Sequence, residues 1–125
     1  MKLLSWNING LESLSIASLI KDTEADILCF QEVKSSRNKL LNAQLACIPG
    51  FDAFFHFAAR SNYSSVATFV RQAFTPVDAC DRFPFVMDDL PPKLINAMES
   101  EGRFLMTDHG SWILLNVTTR ALVHL

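Results

Sequence analysis

Glycine and proline are scarce in this sequence, with four and five residues in 125. That excludes a collagen-like repeat or a Gly/Pro-rich low-complexity chain. Charge is sparse as well, at 19% of residues against 50% hydrophobic, so a disordered charged tail is excluded. Neither sign dominates. Eleven Lys and Arg stand against 13 Asp and Glu, a net charge of −2, and there is no overall basic footprint for nucleic acid. The imbalance is local. Residues 1–77 carry +1, residues 78–101 carry −4 and residues 102–125 carry +1, which makes the N-terminal part the better face for an anion. No apolar run approaches the ~20 residues of a membrane span. The opening Met1-Lys2-Leu3-Leu4 is interrupted by Asn7 and Asn9 too early for a secretory signal. Cys29, Cys47 and Cys80 are odd in number, widely spaced and without a CxxC, so neither a disulfide framework nor a zinc site is expected. A reducing compartment suits them.

What is present suffices for one domain, or part of a larger one. A self-contained chain of this length buries roughly 65% of its unfolded surface. Residues 2–8 predict a short buried strand, closed by the turn residues Asn9-Gly10. Residues 12–22 switch to helical spacing, with Leu14, Ile16, Ala17, Leu19 and Ile20 on one face and Ser13 as N-cap. Residues 27–31 form a second continuous apolar strand around Cys29. Strand, helix and strand in about thirty residues predict a parallel βαβ unit. A shorter helix follows over residues 36–47, with Leu40, Leu41 and Leu45 inward, ended by Pro49-Gly50.

Beyond it strands outnumber helices. They are expected over residues 51–57, 65–70, 76–80, 103–107 and 112–117. An irregular acidic loop covers residues 81–92, and a helical turn residues 93–98. The class is α/β. Phe51, Phe54, Phe55 and Phe57 read as alternating core positions rather than a base-stacking platform, and Trp6 and Trp112 as core. Asp108-His109, before Gly110, reads as a hairpin turn.

Two polar groups stand at the ends of the first two apolar strands. Asn7 closes Leu3-Leu4-Ser5-Trp6, and Glu32 follows Ile27-Leu28-Cys29-Phe30-Gln31. In a parallel βαβ unit both ends lie on one edge of the sheet, where open α/β folds bind ligands. An amide oxygen and a carboxylate there are hard ligands suited to Mg²⁺. An Asn before Asn-Gly also shapes turns, and a Glu after a strand is also a solvated loop residue, so spacing alone leaves both readings open.

The exact strings add to this. Ser5-Trp6-Asn7-Ile8-Asn9-Gly10-Leu11, followed by Ala25-Asp26-Ile27-Leu28-Cys29-Phe30-Gln31-Glu32-Val33-Lys34, resembles the AP endonuclease/exonuclease III family of the endonuclease/exonuclease/phosphatase superfamily. Pro49-Gly50-Phe51-Asp52-Ala53-Phe54-Phe55, Tyr63-Ser64-Ser65-Val66-Ala67-Thr68-Phe69 and Ser100-Glu101-Gly102-Arg103 resemble its second eukaryotic type. The likeness implies the N-terminal half of a four-layered, DNase I-like α/β sandwich, a mixed sheet with flanking helices. It implies Mg²⁺-dependent cleavage of DNA phosphodiesters in base excision repair, with Mn²⁺ as alternative ion. The partner implied is double-stranded DNA with abasic sites or blocked 3′ ends, and the implied location is nuclear. By position, Glu32 is the metal carboxylate and Asn7 its partner, with Asn9 in reach through water. Lys34 and Arg37 are candidates for the DNA backbone, though exposed cations are as often merely solvated.

The likeness breaks off after Val117. Thr118 stands where the family has a Tyr, and neither the later Asp-x-Asn motif nor the terminal Asp-His pair follows. Glu12 replaces a common Arg, and Asn62 and Ser65 replace Gly in related loops. The expectation is a partial domain over residues 1–117 with a divergent tail, 118–125, in a truncated form that does not cleave DNA alone. An inactive fragment acting as a binding module is the alternative. The NINGL string and the Lys after the metal Glu weigh against a phosphatase of another phosphoester. Neither a sliding-clamp motif nor a C-terminal zinc finger occurs.

Overall fold

A computed structural model describes residues 1–11, 15–42, 47–82 and 89–119, with only the backbone of Met98. Strand β1 (Leu3–Asn7), helix α1 (Ile16–Thr23) and strand β2 (Ile27–Gln31) form the expected parallel unit, with Leu3 opposite Ile27. Helix α2 (Arg37–Asn42) leads to β3 (Phe51–His56), which returns antiparallel as β4 (Val66–Arg71). Because β4 also pairs antiparallel with β2, the sheet is mixed, in the order β1-β2-β4-β3. A second, antiparallel sheet has the order β5-β6-β7, from Asp78–Cys80, Phe104–Asp108 and Ile113–Val117. Helix α3 (Pro92–Ser100) joins β5 to β6.

The inner strands β2 and β4 of the mixed sheet are buried on both faces. Leu28, Phe30, Ala67 and Phe69 pack with Ile16 of α1 and Leu40 of α2. Ile27, Cys29 and Val70, together with Phe54 of β3, face the second sheet, against Trp112 and Leu114. This explains why β2 reads as an unbroken apolar run. The described residues thus supply helices, mixed sheet and antiparallel sheet, three of the four expected layers. The Phe-rich strand is core, as expected: Phe55 meets Phe69 edge-on at 5.7 Å and stacks on Phe57 at 5.1 Å.

Several expectations are corrected. β1 is not buried: apart from Leu4 its residues are exposed, and Trp6 keeps 46% of its surface in solvent. The reason is its place at the sheet edge, with β2 on one side only. Leu40 is buried but Leu41 is 50% exposed, since a helix of six residues turns a narrow face inward. Helix α1 begins at Ile16, where Ser15 Oγ accepts the Ser18 N–H at 3.4 Å; the expected cap Ser13 lies outside the described residues. So do Glu12, Leu14, Leu45, residues 83–88 of the acidic loop, and the tail from residue 120. α3 is a nine-residue helix rather than one turn, its first turn preset by Pro92.

Two tests follow from groups that anchor these elements. Asp26, just before β2, accepts the backbone N–H of Lys2 at 2.8 Å and Arg71 Nε at 2.9 Å. The Lys2 N–H, opposed by burial and helped by Arg71, holds its carboxyl below the ordinary value. A depressed carboxylate stabilises the fold above its unfolded pKa, about 3.9, and that contribution disappears as pH falls through the lower folded value. Melting temperature should therefore be insensitive to Asp26 between pH 7 and 5 and fall with acid below about 4, and Asp26→Asn should flatten that acid limb. Burial pushes the Cys29 thiol up to about 11, whereas Cys47 is exposed. Iodoacetamide at neutral pH should label Cys47 in the native protein and Cys29 only after unfolding, as mass spectrometry will show.

Candidate functional site

The register that sets Asn7 opposite Gln31 brings the carboxyl ends of β1 and β2 to one edge. The chains continue side by side past the strands. Ile8, Gly10 and Leu11 donate their N–H groups to the carbonyls of Gln31, Glu32 and Val33 at 3.1, 2.8 and 2.9 Å. On the other side, Val33 and Lys34 donate to the carbonyls of Ser65 and Ser64 at 3.0 and 2.9 Å. Three loops meet here, and each carries non-glycine residues in the left-handed region: Asn9, Glu32, Lys34, Asn62, Ser64 and Ser65, with φ between 45° and 71°. Such conformations persist where the surroundings enforce them, and they cluster at ligand sites.

At this edge Lys34 Nζ donates to Asn9 Oδ1 at 2.5 Å and lies 3.5 Å from Glu32 Oε2. One ammonium thus joins two of the residues expected around a metal, and Asn7 stands at the adjoining strand end. Arg37 is placed elsewhere. It lines, with Leu40, Phe51 and His56, a concavity of about 810 Å³ beside α2 and β3, and none of Asn7, Asn9, Glu32 or Lys34 lines it.

Among the described residues no three His, Cys, Asp or Glu stand together as a metal cluster. One carboxylate and one amide oxygen still fit Mg²⁺, which takes one or two carboxylates and completes its shell with water and phosphate oxygens. They do not fit a zinc centre, which needs three or four protein ligands.

The family model described as "Endonuclease/Exonuclease/phosphatase family" matches residues 4–118. The chain belongs to that family. The "DNA-(apurinic or apyrimidinic site) endonuclease 2" of Bos taurus is 33% identical to it over 138 residues, which cover 87% of this chain and 27% of that relative. The crystal structure of the APE2 catalytic domain of Xenopus laevis superposes with a TM-score of 0.79 at 28% identity, over 94% of this chain and 45% of that one. A 3′ phosphatase, NExo, from Neisseria, solved bound to product DNA hairpin, matches at 25% identity with a TM-score of 0.67, over 94% of this chain and 40% of that one. The two facing sheets are those of the DNase I-like fold. This endonuclease/exonuclease/phosphatase chain spans about a quarter of the length of the curated relatives it matches.

Two groups of residues in this family member escaped the reading of the sequence. Around the loop of residues 60–65, Lys39 Nζ donates to Asn62 Oδ1 at 3.1 Å and Arg103 to the Tyr63 hydroxyl at 2.9 Å. The guanidinium groups of Arg60 and Arg103 each lie 5.5 Å from the centre of the Tyr63 ring. Arg103 is also ion-paired with Glu101 at 2.5 Å, so the cations that surround this loop are Lys34, Lys39 and Arg60, which no local spacing brings together. The second is Asn116 of β7, which is 2% exposed. Its Oδ1 accepts from Gln31 Nε2 at 2.8 Å, and its Nδ2 faces the carbonyls of Ala67 and Phe30 and the Thr68 hydroxyl at 2.8, 3.3 and 3.2 Å. It ties the second sheet to the residue before Glu32. The visible signal was one Asn inside the apolar run Leu114-Leu115-Asn116-Val117. Asp108-His109 closes the β6–β7 hairpin as expected, with Asp108 Oδ1 accepting the Gly110 N–H at 2.8 Å and His109 stacked on Trp112.

Proposed function

We propose that the chain carries the metal- and phosphate-holding part of a Mg²⁺-dependent DNA phosphodiester hydrolase, acting at abasic sites or blocked 3′ ends in base excision repair, in the nucleus. The observation that carries this reading is the edge where Glu32 and Asn7 stand at adjoining strand ends, bordered by Lys34, Lys39, Arg60 and Arg103. Its relatives' names and the DNA hairpin held by the Neisseria neighbour support it.

Glu32 and Asn7 would hold the Mg²⁺, or Mn²⁺ in its place. The bound ion would offset the negative charge that develops on the phosphate oxygens during hydrolysis. Lys34 orients the Glu32 carboxylate, and Asn9 fixes the Lys34 ammonium that does so. Lys39 and Arg60 would take backbone phosphates, with Arg103 holding the Tyr63 hydroxyl beside them, and Arg37 a phosphate farther along the duplex. Lys34 then acts on the site through Glu32 as well as on DNA through its charge. Residues 1–117 make up this part of the domain, and residues 118–125 a tail outside it.

Hydrolysis also needs a positioned nucleophile and protonation of the leaving oxygen. The groups that the resemblance assigns to those steps lie beyond Val117 and have no match in this sequence. The test is incision of a duplex carrying a tetrahydrofuran abasic analogue, with Mg²⁺. The 125-residue chain should leave the duplex intact. The chain joined to the remaining segment of the Xenopus catalytic domain should cut it, and Glu32→Ala should lower that activity by about a hundredfold or more. Incision by the joined protein that Glu32→Ala leaves unchanged would overturn the assignment.

A further inference from the structure

We propose that His56 is held as an imidazolium and serves as a pH-sensitive clasp, fastening the α3–β6 turn to β3 and through it setting Arg103 against Tyr63 in the loop of residues 60–65. His56 ends β3 and is 8% exposed. Its Nδ1 lies 2.6 Å from the Phe104 carbonyl oxygen of β6, and its Nε2 2.8 Å from the Glu99 carbonyl oxygen of α3. A carbonyl oxygen can only accept. A neutral imidazole carries one N–H, so it would turn a nitrogen lone pair toward one of these oxygens. Only the doubly protonated ring donates to both, and the short separations suit charge-assisted bonds. The Glu99 carbonyl also belongs to the last turn of α3, where carbonyls lack partners within the helix and the helix dipole favours a cation.

His109 provides the contrast. Its Nδ1 faces the Phe74 carbonyl at 3.2 Å, but its Nε2 faces the Thr107 hydroxyl at 2.9 Å. A hydroxyl can donate, so a neutral ring satisfies both contacts there. Burial by itself disfavours a charged His56. That cost is offset because His56 borders two open clefts along which, among the described residues, carboxylates outnumber cations. Glu99 of α3, Asp81 just after β5 and Asp52 of β3 stand there against Arg82 and Arg37, and the Cys47 thiol lines the cleft that holds Arg37. In the turn itself Glu101 and Arg103 pair with each other. On the remaining side, β4 places the apolar Val66 opposite His56.

The clasp matters because of what the turn carries. Gly102 lies against the backbone of residues 56–58, and the Ala59 N–H donates to the Ser100 carbonyl at 2.8 Å. Arg103, the next residue, reaches the Tyr63 hydroxyl at 2.9 Å. When His56 gives up its second proton, one of the two carbonyls faces a lone pair in place of a donor. The turn then relaxes away from β3 and takes Arg103 with it. The folded chain thus holds a proton that an unfolded histidine releases near pH ~6.5. The stability that proton contributes is full below about pH 6.5 and is lost as pH rises. Under the proposed function this ties the order of a DNA-facing loop to pH, but the clasp itself does not rest on that reading.

Two measurements on the full chain test this, and neither involves metal or DNA. With histidine labelled by nitrogen-15, long-range proton–nitrogen spectra at pH 7 should show both ring nitrogens of His56 protonated and only one of His109. Urea melts should show the folding equilibrium constant falling about tenfold between pH 6 and 8. His56→Gln, which has no second charge state, should remove that fall, and His109→Gln should retain it. In the unaltered chain the Ala59 amide and Tyr63 ring signals should shift together with the His56 titration. A single protonated nitrogen at His56, a pH profile that His56→Gln leaves unchanged, or Ala59 and Tyr63 signals indifferent to the titration would each overturn the proposal. The spectra are recorded on the unaltered chain, so they decide the question even where His56→Gln fails to fold.

Discussion

Gly102→Ala is expected to cost about 2–6 kcal/mol of folding stability, from a left-handed backbone penalty of about 1–3 kcal/mol and an overpacking penalty of about 1–3 kcal/mol. Gly102 follows the C-cap of α3 with φ of +61°. A Cβ there would stand 2.5 Å from Ala58 N, 2.6 Å from the His56 carbonyl oxygen and 2.8 Å from Phe57 C. All three are backbone atoms, so no rotamer change relieves the clash. The α3–β6 turn would have to lift away from the end of β3. That would stretch the bond from the Ala59 N–H to the Ser100 carbonyl, 2.8 Å, and the His56 ring contacts with the Phe104 and Glu99 carbonyls, 2.6 and 2.8 Å. Gly110 is the control. It has φ of +87° but nothing within 4 Å of its virtual Cβ, so alanine there incurs only the backbone penalty, about 1–2 kcal/mol. Urea melts should separate the two variants clearly. Equal losses would show that Gly102 is not a point of close approach.

The second large effect is expected at Asn116. Leucine keeps the branched shape of asparagine but is larger, so Asn116→Leu removes the amide and adds some overpacking. The substitution removes the bonds that Asn116 makes to Gln31 Nε2 and to the Ala67 carbonyl, each 2.8 Å long. A buried group deprived of its partner costs about 1–3 kcal/mol, and the pair should lower stability by about 2–4 kcal/mol. Gln31 Nε2 retains Ser5 Oγ at 3.2 Å, which softens its part of the loss. Because the two amides share one bond, Gln31→Leu and Asn116→Leu should be less than additive. A double-mutant cycle that adds up would remove Asn116 as the tie between the sheets, and with it the argument that β7 steadies the residue before Glu32.

The parts of this fold that were legible in the sequence are those decided by local pattern. The switch from the apolar run 2–8 to helical spacing over 12–22, and back to the apolar run 27–31, gave the βαβ unit, and Gly110 after Asp108-His109 gave the hairpin. The alternation of Phe residues placed β3 in the core. What local pattern could not show was sheet order. β1 and β2 both read as apolar strands, yet one is an exposed edge and the other is covered on both faces, because only β2 has β4 beside it. Trp6 was misread as core for the same reason. Asn62 and Ser65, noted as departures from Gly, do stand in the left-handed region, at φ of 56° and 71°. Ser65 offsets part of that strain by accepting the Ala58 N–H at 2.8 Å.

The candidate site was legible to the same degree. Asn7, Glu32, Asn9 and Lys34 come from two stretches whose strand ends a parallel pair must align. Arg37 seemed to belong with them by sequence distance, but the helix it opens carries it to another concavity. Lys39, Arg60, Tyr63 and Arg103 come from separate elements and meet only through the return of β4 and the position of β6. No spacing rule brings such residues together.

The central claim is that Glu32 and Asn7 hold a hard divalent cation at the carboxyl edge of β1 and β2. Fe²⁺ in place of Mg²⁺, with ascorbate and peroxide, cuts the backbone next to where it is bound, and it can be applied to the full 125-residue chain at low protein concentration. Binding should be weak, since one carboxylate and one amide leave most of the octahedron to water. Cuts should fall near residues 7–10 and 31–34, fade as Mg²⁺ is added in competition, and vanish in Glu32→Gln. Cuts concentrated elsewhere, or a pattern that Glu32→Gln leaves intact, would contradict the account.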